Sequence, residues 1–197
     1  EENFSDIIEK FYYELAIHYD HANKYNKAID YLEKSGKKFQ RILDLPSALL
    51  CYKRIVEIYK EQNINYNDTF YLAQGQIGKI YGFLGKTEKA ISLLLSLVKD
   101  SSKISKDILA KIYLYLGDVY ENKRQNDLSL KNYKNSFELS KELNDDNLSA
   151  ELNRCLGIIM MNTGRFDEAL NFYQKHMNYF VKQKNKLQIG TISGNIG

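Results

Sequence analysis

A glycine recurs along this chain at Gly78, Gly117, Gly157 and Gly197, an almost constant step of about 40 residues. Around the first three lies one phrase: QIGKIYGFLGKTEKAISLLLSLV beginning at Gln76, YLGDVYENKRQNDLSLKNYKNSF at Tyr115 and CLGIIMMNTGRFDEALNFYQKHM at Cys155. NIG, beginning at Asn195, opens a fourth. A period of this length restricts the chain to an array of similar supersecondary units, each burying its apolar face against its neighbour.

Inside each unit the residues describe a helix, a tight turn and a second helix. Gly157 follows Leu156 and precedes Met160 and Met161, and its missing Cβ lets a second helix pack close. Gly164 suits the left-handed residue that ends a helix, and Asp167 and Glu168 then sit near the positive end of the next. In that helix Ala169, Leu170, Tyr173 and His176 fall on one stripe. The matching stripes are Ala90, Ile91, Leu94, Leu97 and Ser129, Leu130, Tyr133, Ser136. Pro46 is the single proline, as expected of helices joined by short turns.

The N-terminal part is less regular. FYYELAIHYDHANKYNKAIDYLEKSGKKF carries Tyr12, Leu15, Ala16 and Tyr19, then Ala28, Leu32 and Ser35 in the positions of a hairpin. Yet Ser35, Gly36 and Phe39 also open a further unit, closed by Pro46, Ser47, Ala48, Tyr52 and Ile55. The step from Ala28 to Ala48 is half the later period, room for one helix and a turn, so a helix over 25–43 is expected to serve two hairpins. Asp44 caps the next helix, with Pro46 in its first turn. Ten helices are expected, over 4–22, 25–43, 45–62, 67–84, 87–100, 106–123, 126–143, 146–163, 166–183 and 186–197. One repeat domain covers 1–197, with irregular units at 4–62, regular repeats at 67–183 and a truncated one at 186–197. The polar EQNINYND predicts a longer connection, and the chain reads as a fragment of a longer polypeptide.

Leu116, Gly117, Tyr120, Ser129, Tyr133 and Ser136 resemble the tetratricopeptide repeat family. That family's unit is about 34 residues, and the longer step resembles the long-helix variety found in bacterial peptide-responsive regulators, kinesin light chains and polarity scaffolds. The resemblance implies an all-α, right-handed α-solenoid of stacked antiparallel hairpins whose first helices line a concave groove. In that register the groove-facing candidates are Tyr13, Ile17 and Asp20, then Lys79 and Phe83, then Tyr115, Asp118 and Asn122, then Arg154, Ile158 and Asn162, and finally Asn195. The Lys and Asn set by which some members clamp a carboxylate is missing. Long-repeat scaffolds often place Asn before the Leu-Gly pair; Asn195 does so here, while Gln76, Tyr115 and Cys155 depart. The phrase from KAIDYLEKSGKKF to SALLCYKRIV is similar to the helical region after the ATPase module of nucleotidyl cyclases and related kinases and regulators.

Composition narrows the classes further. Twenty-eight basic against 25 acidic residues leave a net charge of +3, without the excess of a duplex or membrane-surface binder. The apolar run ISLLLSLV is far short of the roughly 20 residues that span a bilayer. Cys51 and Cys155 sit in apolar helical patterns, as reduced thiols of a cytoplasmic protein would. His18 and His21 are spaced for a metal, but Tyr19 between them is a packing residue and no third ligand is placed. LGKT at 84–87 ends like a phosphate loop, yet Ile80 stands where its glycine should be, within a helix. The 16 tyrosines and nine phenylalanines fall mostly on stripes the repeat must bury, which disfavours stacking on nucleic acid. A non-catalytic scaffold that binds a protein or peptide is therefore expected, with no cofactor, metal, nucleic acid or membrane insertion. The alternative is a sensor arm of a multidomain nucleotidyl cyclase or kinase, regulating other domains of the same polypeptide; the remote one is an enzyme.

Overall fold

The computed structural model describes residues 8–183, and the chain divides into two compact units, Glu1–Leu93 and Leu94–Gly197. The first holds α1 (Tyr12–His21), α2 (Tyr25–Arg41), α3 (Leu45–Glu61) and α4 (Asp68–Phe83). The division falls inside α5 (Thr87–Lys99), which a 3₁₀ turn at Ser101–Lys103 follows. The second unit holds α6 (Lys106–Asn122), α7 (Asn126–Glu142), α8 (Asp146–Asn162) and α9 (Phe166–Lys182). In each unit the helices pack in chain order, α1 on α2, α2 on α3 and α3 on α4, then α6 on α7, α7 on α8 and α8 on α9.

One turn recurs, and it explains the half-period step. Asn23, Leu43, Asn63, Gly85, Arg124, Asn144 and Gly164 all take positive φ, between 49° and 75°. The following amide then bonds back to the fifth carbonyl before it, as in Lys24 N–H to Tyr19 O at 2.8 Å, Gln125 to Tyr120 at 2.9 Å and Arg165 to Met160 at 2.9 Å. That is a Schellman closure, and in most of these turns the same residue is already the N-cap of the next helix. Asp44 and Asp145 add side-chain caps, accepting from Ser47 N at 3.2 Å and Leu148 N at 2.9 Å. One helix of 17 residues and its short turn make the step. Leu43 holds its positive φ while 80% exposed, so its side chain returns little for the strain. Leu43→Asn, the residue of three sister turns, is expected to raise stability by about 0.5–1 kcal/mol in urea unfolding.

A second recurring device sets helix separation. A Cβ added to Gly36 would lie 2.7 Å from Tyr52, to Gly117 2.3 Å from Tyr133, and to Gly157 2.6 Å from Tyr173. In all three the tyrosine stands at the same offset beyond its glycine, so each ring lies in a notch that a methyl group would fill. Because Gly36 holds such a notch, α2 does serve as a first helix toward α3, while Ala28, Leu32 and Ser35 are its buried second-helix positions. It is one unbroken helix that packs on both neighbours. The core of the second unit joins Ala110, Tyr133, Leu148, Leu152, Leu156, Ile159 and Tyr173.

The expected helix limits hold within two residues except at the start. There the helical path over 8–10 is interrupted at Phe11, whose N–H turns back to Ile8 O in a tighter i−3 bond, and α1 runs on from Tyr12. The expected start at residue 4 and the expected helix at 186–197 lie outside the described residues. The loop from Gln62 to Asn67 is the longer connection, and Asn67 Oδ1 caps α4 through Thr69 N at 3.1 Å and Phe70 N at 3.3 Å. No helix of the described residues is long and apolar enough to cross a membrane.

Candidate functional site

In the second unit the notch tyrosine carries a polar group on its tip. Tyr133 is fully buried, and its hydroxyl lies 2.9 Å from Asp118 Oδ1 and 2.7 Å from Glu121 Oε2 on α6. One phenolic proton thus serves two carboxylates. Burial first, and then Asp118, push the phenol well above its ordinary pKa, so it stays a donor. On α8, Arg154 Nη2 donates to Glu151 Oε1 at 2.6 Å and approaches Cys155 Sγ at 3.6 Å. Glu151 is the main cause that raises the guanidinium pKa, and Asp118 adds to it across the gap between α6 and α8. The Cys155 thiol is pushed up by burial and then by Asp118.

These groups place charge of both signs on α6 and α8. A thiol and a phenol held protonated at neutral pH are poor nucleophiles, whereas the carboxylates, the guanidinium and half-buried Ile158 offer ion pairing and apolar contact. Of the expected residues here, Asp118 and Arg154 are brought into electrostatic contact, and Asn122 and Asn162 are exposed near the ends of their helices. Tyr115 is only 6% exposed, because its side of α6 belongs to the packed interior.

The first unit shows the same grammar. Tyr52 OH donates to Gln40 Oε1 at 3.1 Å, and Gln40 Nε2 donates to Gln76 Oε1 on α4 at 3.0 Å. Gln40 stands one helical turn after Gly36, as Glu121 does after Gly117, so a polar residue at that offset receives the notch hydroxyl. The sequence reading missed Gln40, Glu121 and Glu151, although for the first two the offset from glycine was there to find them. Lys79 Nζ lies 5.8 Å from the centre of the Phe83 ring, which is 58% exposed. Tyr13 rests edge-on against Phe39 at 5.8 Å, and Ile17 is half-buried. Asp20 is engaged by Arg54, at 2.6 Å to Nε and 3.0 Å to Nη2, which holds α1 to α3. The carboxylate is thereby committed within the fold. Asn195 lies outside the described residues. His18 and His21 are both exposed on α1.

Residues 72–99 match the family model of the tetratricopeptide repeat. Over 188 residues the chain is 21% identical to the transcriptional activator NprA of Geobacillus stearothermophilus, covering 95% of this chain and 41% of that one. The chain thus spans well under half of this relative. Among solved structures it is similar to a Rap protein complexed with Competence and Sporulation Factor, with a TM-score of 0.75 at 15% identity, covering 93% of this chain and 57% of that one. It is also similar to Bacillus thuringiensis PlcR in complex with the peptide PapR7 and DNA, with a TM-score of 0.63 at 16% identity, covering 96% and 75%. Likeness at such identities carries the fold, an all-α stack of helical hairpins.

Proposed function

Because this chain carries a tetratricopeptide repeat and folds as a stack of such hairpins, we propose that it is a non-catalytic interaction scaffold that binds a peptide or protein segment on its first-helix face. The observation that carries the proposal is the pair of carboxylates on α6, Asp118 and Glu121, that receive the Tyr133 hydroxyl, with the Arg154 and Glu151 pair of α8 in electrostatic reach of Asp118. Ile158 follows Arg154 by one turn of α8 and is half-buried, and charged groups of both signs with an apolar one suit a polypeptide with a charged and an apolar side chain. Phe83 beside Lys79 is a separate contact of the same kind in the first unit. The PlcR structure holds a peptide, which supports the reading by analogy of fold. Nucleic acid is left out, since Tyr52, Tyr59, Tyr71, Tyr120, Tyr133 and Tyr173 are buried rather than offered for stacking. Two buried free thiols, with Cys51 pushed up to about 12 by desolvation, suit a reducing cytoplasm.

The relative that matches almost the whole chain is a transcriptional activator more than twice its length. This favours a second, compatible reading, a sensor arm within a multidomain regulator. A cyclase or kinase parent is the narrower form of that reading, and the domains that flank this segment decide it.

The test is a peptide-display selection against the whole chain, followed by fluorescence anisotropy with the selected peptide. Arg154→Glu and Asp118→Lys are each expected to weaken binding at least about tenfold while the melting curve persists. Lys79→Ala should weaken it less. Unchanged affinity in both charge reversals would remove this face as the binding site.

A further inference from the structure

The third notch tyrosine differs from its two sisters. Tyr173 meets Gly157 with the same ring edge, Cδ1, Cε1 and Cζ, that Tyr133 turns to Gly117, so its hydroxyl is carried past its glycine in the same way. Tyr133 finds Asp118 and Glu121 there, one and four residues after Gly117, and Tyr52 finds Gln40, four after Gly36. After Gly157 the same places hold Ile158 and Met161, neither of which offers an oxygen. Among the described residues the Tyr173 hydroxyl has no hydrogen-bond partner. Asn153 Oδ1 is the unpaired side-chain atom that is sealed from solvent among those residues, so the Tyr173 hydroxyl reaches solvent although the residue is only 6% exposed.

Arg154, Ile158 and Met161 stand at i, i+4 and i+7 on one stripe of α8. Arg154 gives Nε and Nη2 to Glu151, which leaves Nη1 without a partner among the described residues. Its charge is the strongest that the Tyr173 phenol feels, yet burial outweighs it and holds the phenol above its ordinary pKa, as a donor. Two donors thus border an apolar pair, half-buried Ile158 and Met161, which is 43% exposed.

We propose that this place is a subsite for one residue of a bound peptide: its main-chain carbonyl oxygen accepts from the Tyr173 hydroxyl beside Arg154 Nη1, and its apolar side chain lies on Ile158 and Met161. The inference rests on the first-helix face being the binding face. A carboxylate would meet the same donors, but Glu121 acts on Tyr173 and Asp118 on Arg154 from α6, and Glu151 already neutralises Arg154. A neutral acceptor escapes that repulsion. Water on a hydroxyl set between two apolar side chains keeps few other partners, so a carbonyl that displaces it gives up little.

The experiment titrates the ¹⁵N-labelled whole chain with N-acetyl-leucine N-methylamide, a neutral probe with main-chain carbonyls and one apolar side chain. Saturable shifts centred on Gly157, Ile158 and Met161 are expected, and N-acetyl-leucine, the carboxylate counterpart, should bind at least about threefold more weakly. Tyr173→Phe keeps the ring in its notch and should weaken the probe about three- to tenfold. Met161→Gln should do the same without touching the core, because a Gln at this offset takes the hydroxyl as Gln40 takes that of Tyr52. The double variant should lose no more than either single one, since both remove the same bond. Unchanged affinity in either single variant, a further loss in the double one, an acid that binds as tightly as the amide, or no saturable shift into the tens of millimolar would overturn the subsite. Each of these results leaves the binding face itself standing, which the selected peptide and Asp118→Lys decide separately.

Discussion

Gly117→Ala is expected to destabilise the protein by about 2 kcal/mol net and to lower its melting temperature by roughly 4–8 °C. Alanine favours a helix interior over glycine by about 0.5–1 kcal/mol, so overpacking has to exceed that gain. It does so here because the new methyl would stand 2.3 Å from two ring carbons of Tyr133. That ring has no free direction, being fully buried with its hydroxyl held by Asp118 and Glu121. At Gly157 the same change meets Tyr173 at 2.6 Å, and Tyr173 is 6% exposed. The loss there should be smaller. Tyr133→Leu in the Gly117→Ala background should recover part of the stability, because Leu94 holds the corresponding place after Gly78 and the repeat accepts it. Thermal and urea unfolding of the four proteins give the cycle, and a melting curve unmoved by Gly117→Ala would mean that the ring can swing aside.

Arg54→Ala should cost about 2 kcal/mol in the same unfolding measurements. Its guanidinium meets Asp20 through two nitrogens and reaches Glu61 at 3.0 Å, and Asp20 raises its already high pKa further. The Asp20 side chain is 11% exposed, so deleting the arginine strands a carboxylate that solvent barely reaches. Partial exposure of Arg54, 30%, keeps the figure below the roughly 3–5 kcal/mol of a fully buried pair. Asp20→Leu combined with Arg54→Met should lie much closer to the original protein than either deletion. If Arg54→Ala alone leaves stability unchanged, α1 is held to α3 by apolar packing and the ion pair adds nothing.

Helix count and limits were legible because most helices are punctuated by a residue that tolerates positive φ, Asn23, Asn63, Gly85, Asn144 or Gly164, followed by an amphipathic stripe. Leu43 and Arg124 occupy the same turns without that signature, and only the constant step placed them. The shared helix was legible for the same reason, as Gly36 stands at the notch offset from Tyr52. Pair partners were not. Nothing in the spacing of α1 and α3 announces that Asp20 meets Arg54, and this contact turned an expected groove residue into a fold contact. Tyr115 was misplaced on similar grounds, since helical periodicity alone does not say which of two flanking helices covers a given side.

By itself the sequence determined the all-helical repeat, its half-period step, the glycines Gly36, Gly117 and Gly157 that make the notches, and the turns. Each follows from local backbone preference and from periodicity along one chain. Only the tertiary structure decided that Tyr133 shares its proton between Asp118 and Glu121, that Asp20 is committed to Arg54, and that Asn153 Oδ1 is buried without a hydrogen-bond partner. These depend on distances between side chains of different helices, and a repeat period constrains backbones far more tightly than the tips of their side chains.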